Sequence, residues 1–491
     1  MEYDVIVVGK GNAALSAALS AQDAGANVVV LEAAPEEESG GNSRFAGGQM
    51  RFSFQAVDEL RGVIDMSDEE IAKSDFGTNT DEEYLDDFHQ MTNYRTDPDL
   101  SETVVKQSLD IMAWLRSKGV RFTPNYRMSS VVDGTRRYFG RIPFEVNGGG
   151  PALVEALDVA ARKAGIEIRY ETRAVSLIYD GETVGGVRAK QKGRPVELRA
   201  KSVVLACGGF EANPEWRTRY LGTGWDLAKV RGTRFNQGDG LKMALDIGAA
   251  PYGNWSGCHA TGWDRYAPEF GDLAVGDQFE KHSYPLGLLI NAEGKRFVDE
   301  GLDFFVYTYA KYGREILKQP SQFAWQVFDA KVKSILRSEY RIKHMTKVSA
   351  DSLEDLAVKL EGVNADAFLR TVKEYNAAVR KDVPFEASIL DGKCTVGIDP
   401  PKSNWAQTLD TPPFDAYSTT CGITFTFGGL RIDPKTAQAV DVHLLKIPGL
   451  YVAGEMVGGL YYFNYPGAAG LVSGAVFGRM AGKHAALSAK K

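Results

Sequence analysis

The sequence predicts an α/β fold whose nucleotide-binding domain is assembled from segments far apart in the chain. The first segment covers residues 3–32 and reads as a strand, a glycine turn, a helix and a second strand. The second is the apolar strand Val203–Leu205, which runs into the double glycine Gly208-Gly209. The third is the apolar strand Gly449–Glu455 near the other end of the chain. Short apolar runs bounded by glycine are typical of buried strands, and these three predict one discontinuous domain.

The turn after the first strand has the pattern Gly9-x-Gly11-x-x-Ala14. Gly9 permits a sharp bend, Gly11 leaves room for a pyrophosphate, and Ala14 lets the following helix lie close to the sheet. The first amides of that helix, at Asn12 and Ala13, are then expected to face the phosphates. This arrangement predicts a Rossmann-like dinucleotide site.

The residue that ends the second strand narrows the choice of dinucleotide. Glu32 stands where a carboxylate accepts hydrogen bonds from an adenosine ribose. The same carboxylate would repel a 2′-phosphate. FAD or NAD is therefore favoured over NADP.

Composition indicates a large enzyme without a nucleic-acid surface. The 491 residues, 44% of them apolar, are enough for two or three domain-sized cores. The net charge of −7 comes from interspersed charges, and no basic tract indicates a nucleic-acid surface or a membrane anchor. The first strand begins at residue 3 and no apolar run approaches about 18 residues, so we expect neither a secretory signal nor a membrane span. The four cysteines lack metal-ligand spacing, which favours a reduced, cytoplasmic protein with no metal site.

The region between the first two segments predicts an adenine-covering element. A helix over 152–164 is followed by strands at 167–171, 175–179 and 186–190 and by a polar hairpin at 192–195. Such a meander covers the adenine in FAD-binding Rossmann proteins, and Ala174 would then touch the base through its backbone.

A second region differs in composition and predicts a separate domain. Residues 282–425 are richer in aromatic and helical stretches, including 353–360 and 365–380. We expect an inserted α+β capping domain there, and an FAD-binding domain made from residues 1–281 and 426–491.

Four segments resemble the fumarate reductase and succinate dehydrogenase flavoprotein superfamily and occur in the same order. They are Ser39–Gly48, Gly238–Gly240, Gly287–Glu300 and Gly449–Glu455. The resemblance implies FAD as the cofactor, with the first segment lying against its pyrophosphate and isoalloxazine. It also implies further FAD contacts at Gly41, Asn42, Ser43, Gly47, Gly48, Gly208, Gly209, Asp239, Glu455, Gly470 and Leu471.

Within that superfamily the chain is most similar to the tricarballylate dehydrogenase group. The similar segments are Ala206–Asn213, Arg217–Gly222, Gly253–His259 and Tyr307–Arg314. In that group, FAD accepts a hydride from a tricarboxylic acid and an alkene results. The resemblance therefore implies a small-molecule substrate and an electron-transfer partner, membrane-associated or soluble, that reoxidises the flavin.

Three segments depart from the fumarate reductase pattern. Asn464–Gly467 stands where fumarate reductases carry Asn-Arg-Leu-Gly-Gly, and its Tyr-Pro-Gly resembles 3-ketosteroid dehydrogenases, whose tyrosine helps to polarise a ketone. Thr424 and Phe425 replace a histidine pair. Asn42 stands where succinate dehydrogenases tether the flavin through a histidine, which predicts non-covalent FAD.

Dehydrogenation of a C–C bond needs a hydride acceptor, a base and donors that stabilise an enolate. Tyr465 is the first candidate donor, since an ordinary tyrosine pKa of ~10 suits a donor better than a base, and a packing role is the alternative. His259, in a Trp- and Gly-rich loop, is expected to titrate in the working range, with a role in holding that loop as the alternative. His282, at the entry to the predicted capping domain, is the second histidine candidate. By resemblance Arg296 and Glu300 face the active site, and a structural ion pair between them is the alternative.

Aromatic residues in the segments expected to line the site favour a weakly charged substrate. They are Phe304, Phe305, Phe425, Phe427, Tyr461, Tyr462 and Phe463. A site for three carboxylates needs arginines there. The pattern predicts a substrate with an apolar or cyclic body and at most two carboxylates, with Arg296 as the main anion contact. A cyclic enone substrate, and an electron-transfer subunit without its own organic substrate, are the alternatives.

Overall fold

An eight-stranded and a six-stranded sheet organise the protein in a computed structural model that describes residues 3–64 and 66–490. The strands are β1 Tyr3–Val8, β2 Val28–Leu31, β3 Ser74–Asp75, β4 Phe122–Pro124, β5 Ser129–Val132, β6 Thr135–Tyr138, β7 Phe144–Val146, β8 Glu167–Arg169, β9 Thr172–Tyr179, β10 Val184–Gln191, β11 Arg194–Leu205, β12 Lys229–Val230, β13 Pro251–Asp264, β14 Leu288–Asn291, β15 Phe323–Phe328, β16 Lys347–Ala350, β17 Phe414–Leu430, β18 Gln438–Val440 and β19 Lys446–Val452. The helices are α1 Asn12–Asp23, α2 Val57–Leu60, α3 Asp68–Ala72, α4 Asp81–Met91, α5 Pro98–Ser117, α6 Gly149–Lys163, α7 Pro214–Trp216, α8 Asp239–Leu245, α9 Phe305–Leu317, α10 Leu353–Lys359, α11 Ala365–Ala378 and α12 Ala469–Ala489.

The three predicted segments lie side by side in the eight-stranded sheet. Its central order is β18-β19-β11-β1-β2-β8. Strand β1 pairs in parallel with both β2 and β11, and β11 pairs in parallel with β19. Where they pair in parallel, these strands are buried on both faces, as parallel strands covered on both sides must be. The predicted α/β fold is confirmed.

The last helix returns to the first one and completes this layer. Helix α12 packs closely against α1 because α12 has glycines at the contact. A Cβ on Gly478 would lie 2.3 Å from the carbonyl oxygen of Ala13, and one on Gly482 would lie 2.0 Å from that of Ala17. The side chain of Asn12 also donates to the carbonyl oxygen of Leu471 at 2.7 Å. Segments from both ends of the chain therefore build one layer.

The predicted meander extends the same sheet. Strands β9, β10 and β11 pair antiparallel in sequence order, and β11 continues into the parallel part of the sheet. Ala174 lies inside β9, whereas the sequence predicted it just after a strand.

The six-stranded sheet is built around β17, which pairs with β12, β13, β15 and β16. Helices α10 and α11 match the predicted helical stretches, and they bury Leu356 and Phe368 in a core shared with this sheet. Strand β13 belongs to the sheet although it precedes residue 282, and β17 continues through residue 426. The sheet therefore extends beyond the predicted capping segment, and the domain boundaries stay a prediction.

Within residues 3–64 and 66–490, no helix combines the length and the apolarity needed to cross a bilayer.

Candidate active site

One large cavity extends from the glycine turn after β1 to strands β13 and β17. Gly9, Glu32 and Ala174 line one end, and His259 and Tyr465 line the other. Most predicted cofactor contacts line it, namely Gly9, Gly11, Asn12, Ala13, Glu32, Gly41, Asn42, Ser43, Gly47, Gly48, Ala174, Gly208, Asp239, Glu455, Gly470 and Leu471. Ala14 and Gly209 stand outside that lining.

The glycine turn leaves space for a phosphate-bearing ligand. Gly9 has a φ of +105°, and a Cβ there would lie 2.5 Å from the carbonyl oxygen of Ala206. The backbone amide of Asn12, predicted to face the phosphates, donates instead to the hydroxyl of Ser43 at 3.0 Å. Asn12 Oδ1 and Gln49 Nε2 are buried beside the cavity without partners among the described residues. Buried polar atoms are normally paired, so this wall fits a bound polar group such as FAD.

Glu32 is buried at the adenosine end. The amide of Ala34 donates to its Oε1 at 2.8 Å. Burial raises the pKa of Glu32, against the lowering effects of that amide and of nearby Lys10. Lys10 lines the cavity too and forms an ion pair with Asp158 at 2.9 Å. The sequence analysis missed Lys10, which stands inside the glycine motif.

Asn42 is held by three segments of the chain. Its Nδ2 donates to Glu211 Oε1 at 2.7 Å and to the carbonyl oxygen of Thr424 at 2.6 Å. Its Oδ1 accepts from the amide of Thr233 at 2.9 Å. The side chain of Asn42 is thus fixed by hydrogen bonds. It has no imidazole nitrogen that could form a covalent bond with a flavin.

A buried pair of carboxyl groups lies next to Asn42. Glu211 Oε1 also accepts from Asn236 at 2.5 Å, and Glu455 Oε1 accepts from the amide of Thr426 at 2.7 Å. Gly209 makes room for this pair, since a Cβ there would lie 2.1 Å from Glu455 Oε1. Burial, and the charge of Glu455, raise the pKa of Glu211 well above its ordinary value. The sequence analysis missed Glu211.

His259 lies at the other end of the cavity, on β13. Its ring stacks on Phe425, with centroids 5.2 Å apart, and meets Tyr309 and Tyr465 edge to face. Both ring nitrogens are buried and have no hydrogen-bond partner among the described residues. Burial lowers the pKa of His259 well below its ordinary value, so the ring is neutral at pH 7. A neutral imidazole presents one donor and one acceptor.

Tyr465 lies beside His259 and is hydrogen-bonded through its hydroxyl to that of Tyr309. Arg51 holds the turn that carries Tyr465, because its Nε donates to the carbonyl oxygen of Gly467 at 3.0 Å and its amide to that of Ala468 at 3.1 Å. Burial raises the pKa of both tyrosines. Their hydroxyls therefore stay protonated and act as donors at neutral pH. The sequence analysis missed Tyr309.

His282 lines the cavity, but both of its nitrogens are occupied. Nδ1 lies 3.2 Å from Glu280 Oε2, and Nε2 lies 2.7 Å from the hydroxyl of Thr261. Burial lowers the pKa of His282, against the raising effect of Glu280. This arrangement fits a histidine that holds its surroundings in place.

Arg296 and Glu300 lie away from the cavity lining and form a buried ion pair. Arg296 also donates to the carbonyl oxygens of Pro400 at 2.7 Å and Pro401 at 3.1 Å. Glu300 Oε1 accepts from the amide of Leu289 at 2.9 Å. Their position matches the structural alternative and not an active-site role, because the donors of Arg296 are spent on the ion pair and on carbonyl oxygens.

Four other arginines line the cavity. Arg173 lies next to Ala174 and pairs with Asp239 at 2.8 Å. The other three are Arg127, Arg231 and Arg337, and none of them was predicted as a lining residue. Each has a carboxylate partner: Arg127 pairs with Glu145, and both Arg231 and Arg337 contact Glu280. Arg296 was predicted as the main anion contact, whereas the lining contains these arginines and not Arg296. No local motif marks them, since each arrives from a different loop or short strand.

The predicted aromatic set divides between the cavity and the rest of the protein. Phe305, Phe425, Phe427 and Tyr461 line the cavity. Phe304, Tyr462 and Phe463 are absent from the lining. The wall therefore carries aromatic rings together with charged groups.

One group near this end has the spacing of metal ligands. Single ligand atoms of Glu280, His282 and Glu339 lie within 4.8 Å of one another. The guanidinium of Arg337 already contacts both carboxylates, at 3.3 Å for Glu280 and 2.6 Å for Glu339. The guanidinium therefore already supplies the positive charge next to these two carboxylates that a metal ion would otherwise provide.

Comparisons with known proteins agree with this geometry. A family model described as an FAD binding domain matches residues 4–472. The chain is 31% identical to a probable fumarate reductase of Shewanella frigidimarina over 98% of this chain and 74% of that protein. It is 26% identical to a 3-oxosteroid 1-dehydrogenase of Mycobacterium tuberculosis over 100% of this chain and 99% of that protein.

Solved structures show the same fold. The open conformation of a flavocytochrome c3 fumarate reductase superposes with a TM-score of 0.75 at 29% identity, covering 100% of this chain and 79% of that one. A 3-ketosteroid Δ1-dehydrogenase from Sterolibacterium denitrificans superposes with a TM-score of 0.74 at 21% identity, covering 99% of both chains, which shows a shared fold. The protein is therefore an FAD-dependent oxidoreductase that belongs to the flavoprotein family of the FAD binding domain, the family that includes the fumarate reductases.

Proposed function

We propose that the protein interconverts a CH–CH bond and an alkene next to a carboxylate, with a tricarballylate-like acid as its substrate. One observation carries the proposal: the unpartnered ring of His259 and the hydroxyl of Tyr465 lie in the same cavity as the residues that fit FAD. FAD, when bound, supplies the hydride acceptor. The protein must supply the proton acceptor and the donors to the carboxylate.

His259 is the proposed proton acceptor. It is neutral at pH 7, its nitrogens have no hydrogen-bond partner within residues 3–64 and 66–490, and its ring is held between Phe425 and the two tyrosines. A positioned neutral imidazole is the commonest general base. His282 is the weaker candidate because Glu280 and Thr261 already occupy its nitrogens.

Tyr465 is the proposed donor to the oxygen on which negative charge develops. Its raised pKa keeps the hydroxyl protonated, and the hydroxyl of Tyr309 fixes its direction. Donors already aimed at such an oxygen need no reorganisation during the reaction.

The tricarballylate-like substrate is supported by the sequence resemblance and by the arginines in the cavity wall. A cyclic enone is the second candidate. The Tyr465–Gly467 segment and the aromatic wall favour it, and a 3-oxosteroid 1-dehydrogenase is among the relatives. An electron carrier without an organic substrate needs no such group of polar side chains inside a cavity.

We also propose that FAD binds non-covalently through the lining residues given above, with Ala14 and Gly209 acting by close packing. The tricarballylate dehydrogenase resemblance supports an electron-transfer partner that reoxidises it. The four free cysteines, with Cys258 and Cys421 buried, support a reducing, cytoplasmic location.

Product analysis tests the proposal. The holoenzyme is incubated with tricarballylate and an artificial electron acceptor, and proton NMR follows the alkene region. A vinylic signal that grows with acceptor reduction is the expected result. Turnover of a cyclic enone or its saturated ketone, with none for any carboxylic acid, would favour the second candidate instead.

A further inference from the structure

We propose, on the basis of the function proposed above, that Arg337 binds a second carboxylate of the substrate, which makes the substrate an acid with at least two carboxylates. The sequence analysis gave this role to Arg296, which lies outside the cavity lining. Arg337 lies in the loop between β15 and β16 and reaches the cavity from the side of the six-stranded sheet.

The hydrogen bonds of Arg337 leave one donor nitrogen unused. Its Nε donates to Glu339 Oε1 at 2.6 Å, and its Nη2 donates to Glu280 Oε1 at 3.3 Å. Its Nη1 is buried and has no partner among the described residues. A buried charged donor without an acceptor is costly, so a donor held in this way at a cavity wall fits a ligand oxygen.

Arg231 and Arg127, the arginines grouped with Arg337 above, lack this feature. Arg231 donates to Asp277 from Nε, to Glu280 from Nη2, and to the hydroxyl of Thr424 from Nη1 at 3.4 Å. Arg127 is one-third exposed and donates to Glu145 at 2.6 Å. Of the three, Arg337 is the one with a free buried nitrogen.

Arg337 is held rigidly in place. Its guanidinium lies over the ring of Phe305, 4.6 Å from the centroid, and its backbone amide donates to the hydroxyl of Ser283 at 3.1 Å. Glu280 and Glu339 fix two of its three nitrogens. A planar guanidinium fixed in this way loses little freedom when it binds a carboxylate.

A row of aromatic rings connects Arg337 to the proposed reacting groups. Phe305 lies against Tyr309, with ring centroids 5.9 Å apart, and Tyr309 lies 6.1 Å from Tyr465. Two rings, those of Phe305 and Tyr309, thus stand between the guanidinium and Tyr465 in this row. A carboxylate on Arg337 belongs to a part of the substrate remote from the carboxylate that receives a bond from Tyr465.

The surrounding charges leave room for this carboxylate. Glu280 is shared by Arg231, Arg337 and His282, and Glu339 pairs with Arg337. Burial raises the pKa of neighbouring Asp277 to about 8, so that this carboxyl is mostly neutral at pH 7. Two cations then face two carboxylates, and an added carboxylate meets no excess of negative charge.

The test compares the holoenzyme with its Arg337→Gln and Arg337→Lys variants. Anaerobic stopped-flow gives an apparent Kd and a limiting rate of flavin bleaching for tricarballylate and for butanoate. Arg337→Gln is expected to raise the Kd for tricarballylate by about 10- to 100-fold, the usual loss for one charge-assisted bond. The limiting rate should change much less, and Arg337→Lys should lie between the two. The values for butanoate, which has one carboxylate, should be nearly unchanged.

Two controls keep the outcomes separate. Arg341→Gln removes an exposed arginine of the same loop that lies outside the cavity lining, and it should leave the Kd for tricarballylate unchanged. The Nη2 of Arg341 donates to the carbonyl oxygens of Ser334 at 3.1 Å and Leu336 at 3.0 Å. The double variant Arg337→Gln/Glu339→Gln removes the partner carboxylate too. If the single variant folds poorly because Glu339 is left unpaired, the double variant should fold normally again.

Binding without reaction distinguishes this proposal from the proposed function. If no acid bleaches the flavin, tricarballylate binding is measured by perturbation of the flavin spectrum in the wild-type protein and in Arg337→Gln. Weaker tricarballylate binding in Arg337→Gln than in the wild-type protein would support the role of Arg337 even if the proposed reaction is wrong. Equal binding in both proteins, or an equal loss for butanoate and tricarballylate, would overturn it.

Discussion

The hydroxyl groups of Tyr309 and Tyr465 are hydrogen-bonded to each other in the buried wall of the cavity, edge-on to the ring of His259. Tyr309 comes from helix α9, and Tyr465 comes from the turn before α12. Two parts of the chain 156 residues apart thus place a donor next to a neutral imidazole. The proposed chemistry depends on this arrangement.

Replacement of Tyr465 by phenylalanine removes the hydroxyl that is proposed to stabilise the developing charge. The limiting rate of anaerobic flavin bleaching should fall by about 10²–10³, and FAD content should be nearly unchanged because the backbone turn remains. Tyr461→Phe is the matched control, since its hydroxyl lies 3.0 Å from that of Ser473. A Tyr465→Phe variant that bleaches at the wild-type rate would transfer the donor role to another group.

Replacement of His259 by glutamine keeps polar atoms in the site but removes the group that accepts a proton. The limiting bleaching rate should fall by about 10²–10⁴, the usual contribution of a general base, while the Kd for the substrate should change little. His282→Gln is the comparison. A larger loss of rate in His282→Gln than in His259→Gln would contradict the assignment of the base.

Glu211 predicts a pH dependence of stability. Its pKa in the folded protein lies well above the ordinary value of 4.5, so the folded protein binds more protons than the unfolded one between these two values. The contribution of Glu211 to the free energy of unfolding is fully present below pH 4.5. It is lost as the pH rises through the pKa that this carboxyl has in the folded protein.

The Glu211→Gln variant mimics the protonated carboxyl and should remove this dependence. Denaturant unfolding of both holoenzymes from pH 5 to pH 8 should show a wild-type free energy of unfolding that falls relative to the variant, by at most about 1.4 kcal/mol per pH unit. Asp277, whose pKa is also raised, is present in both proteins and cancels. Glu455, whose pKa is raised by burial, interacts directly with Glu211, so the difference between the two curves reports the titration of this pair. Parallel curves would show that Glu211 is ionised in the folded state.

The hydrogen bonds of Asn42 predict that FAD is released by denaturation. All the yellow colour should remain in the supernatant after acid precipitation, because no imidazole is available at this position for a covalent bond. Yellow colour that stays with the washed pellet would contradict this prediction.

The dinucleotide end of the site was predictable because its signals are local. Gly9, Gly11 and Glu32 lie within a single strand, helix and strand unit, where spacing alone fixes position. The return of the C-terminal segment to this domain was predictable too, because a sheet of this kind has few positions that an apolar strand followed by glycines can occupy.

The substrate end was less predictable because its polar groups come from separate loops. Arg337 stands in no recognisable motif, and Glu211 lies in a segment whose resemblance to a known group gives that residue no role. The contacts of both depend on neighbours more than 50 residues away. Arg296 and Glu300 show the opposite problem. They lie four residues apart after a strand. This spacing is compatible both with two side chains that face a substrate and with two that form an ion pair, so the sequence alone does not distinguish the two cases.

Anaerobic titration of the holoenzyme with paired substrates tests the central claim most directly. The pairs are tricarballylate and its trimethyl ester, and a cyclic enone and its saturated ketone. A carboxylate dehydrogenase should show rapid flavin bleaching with tricarballylate, little with the ester, which lacks charges for Arg337, and none with the saturated ketone. Bleaching by the saturated ketone, with no response to tricarballylate, would contradict the proposed function and assign Tyr465 to a ketone instead.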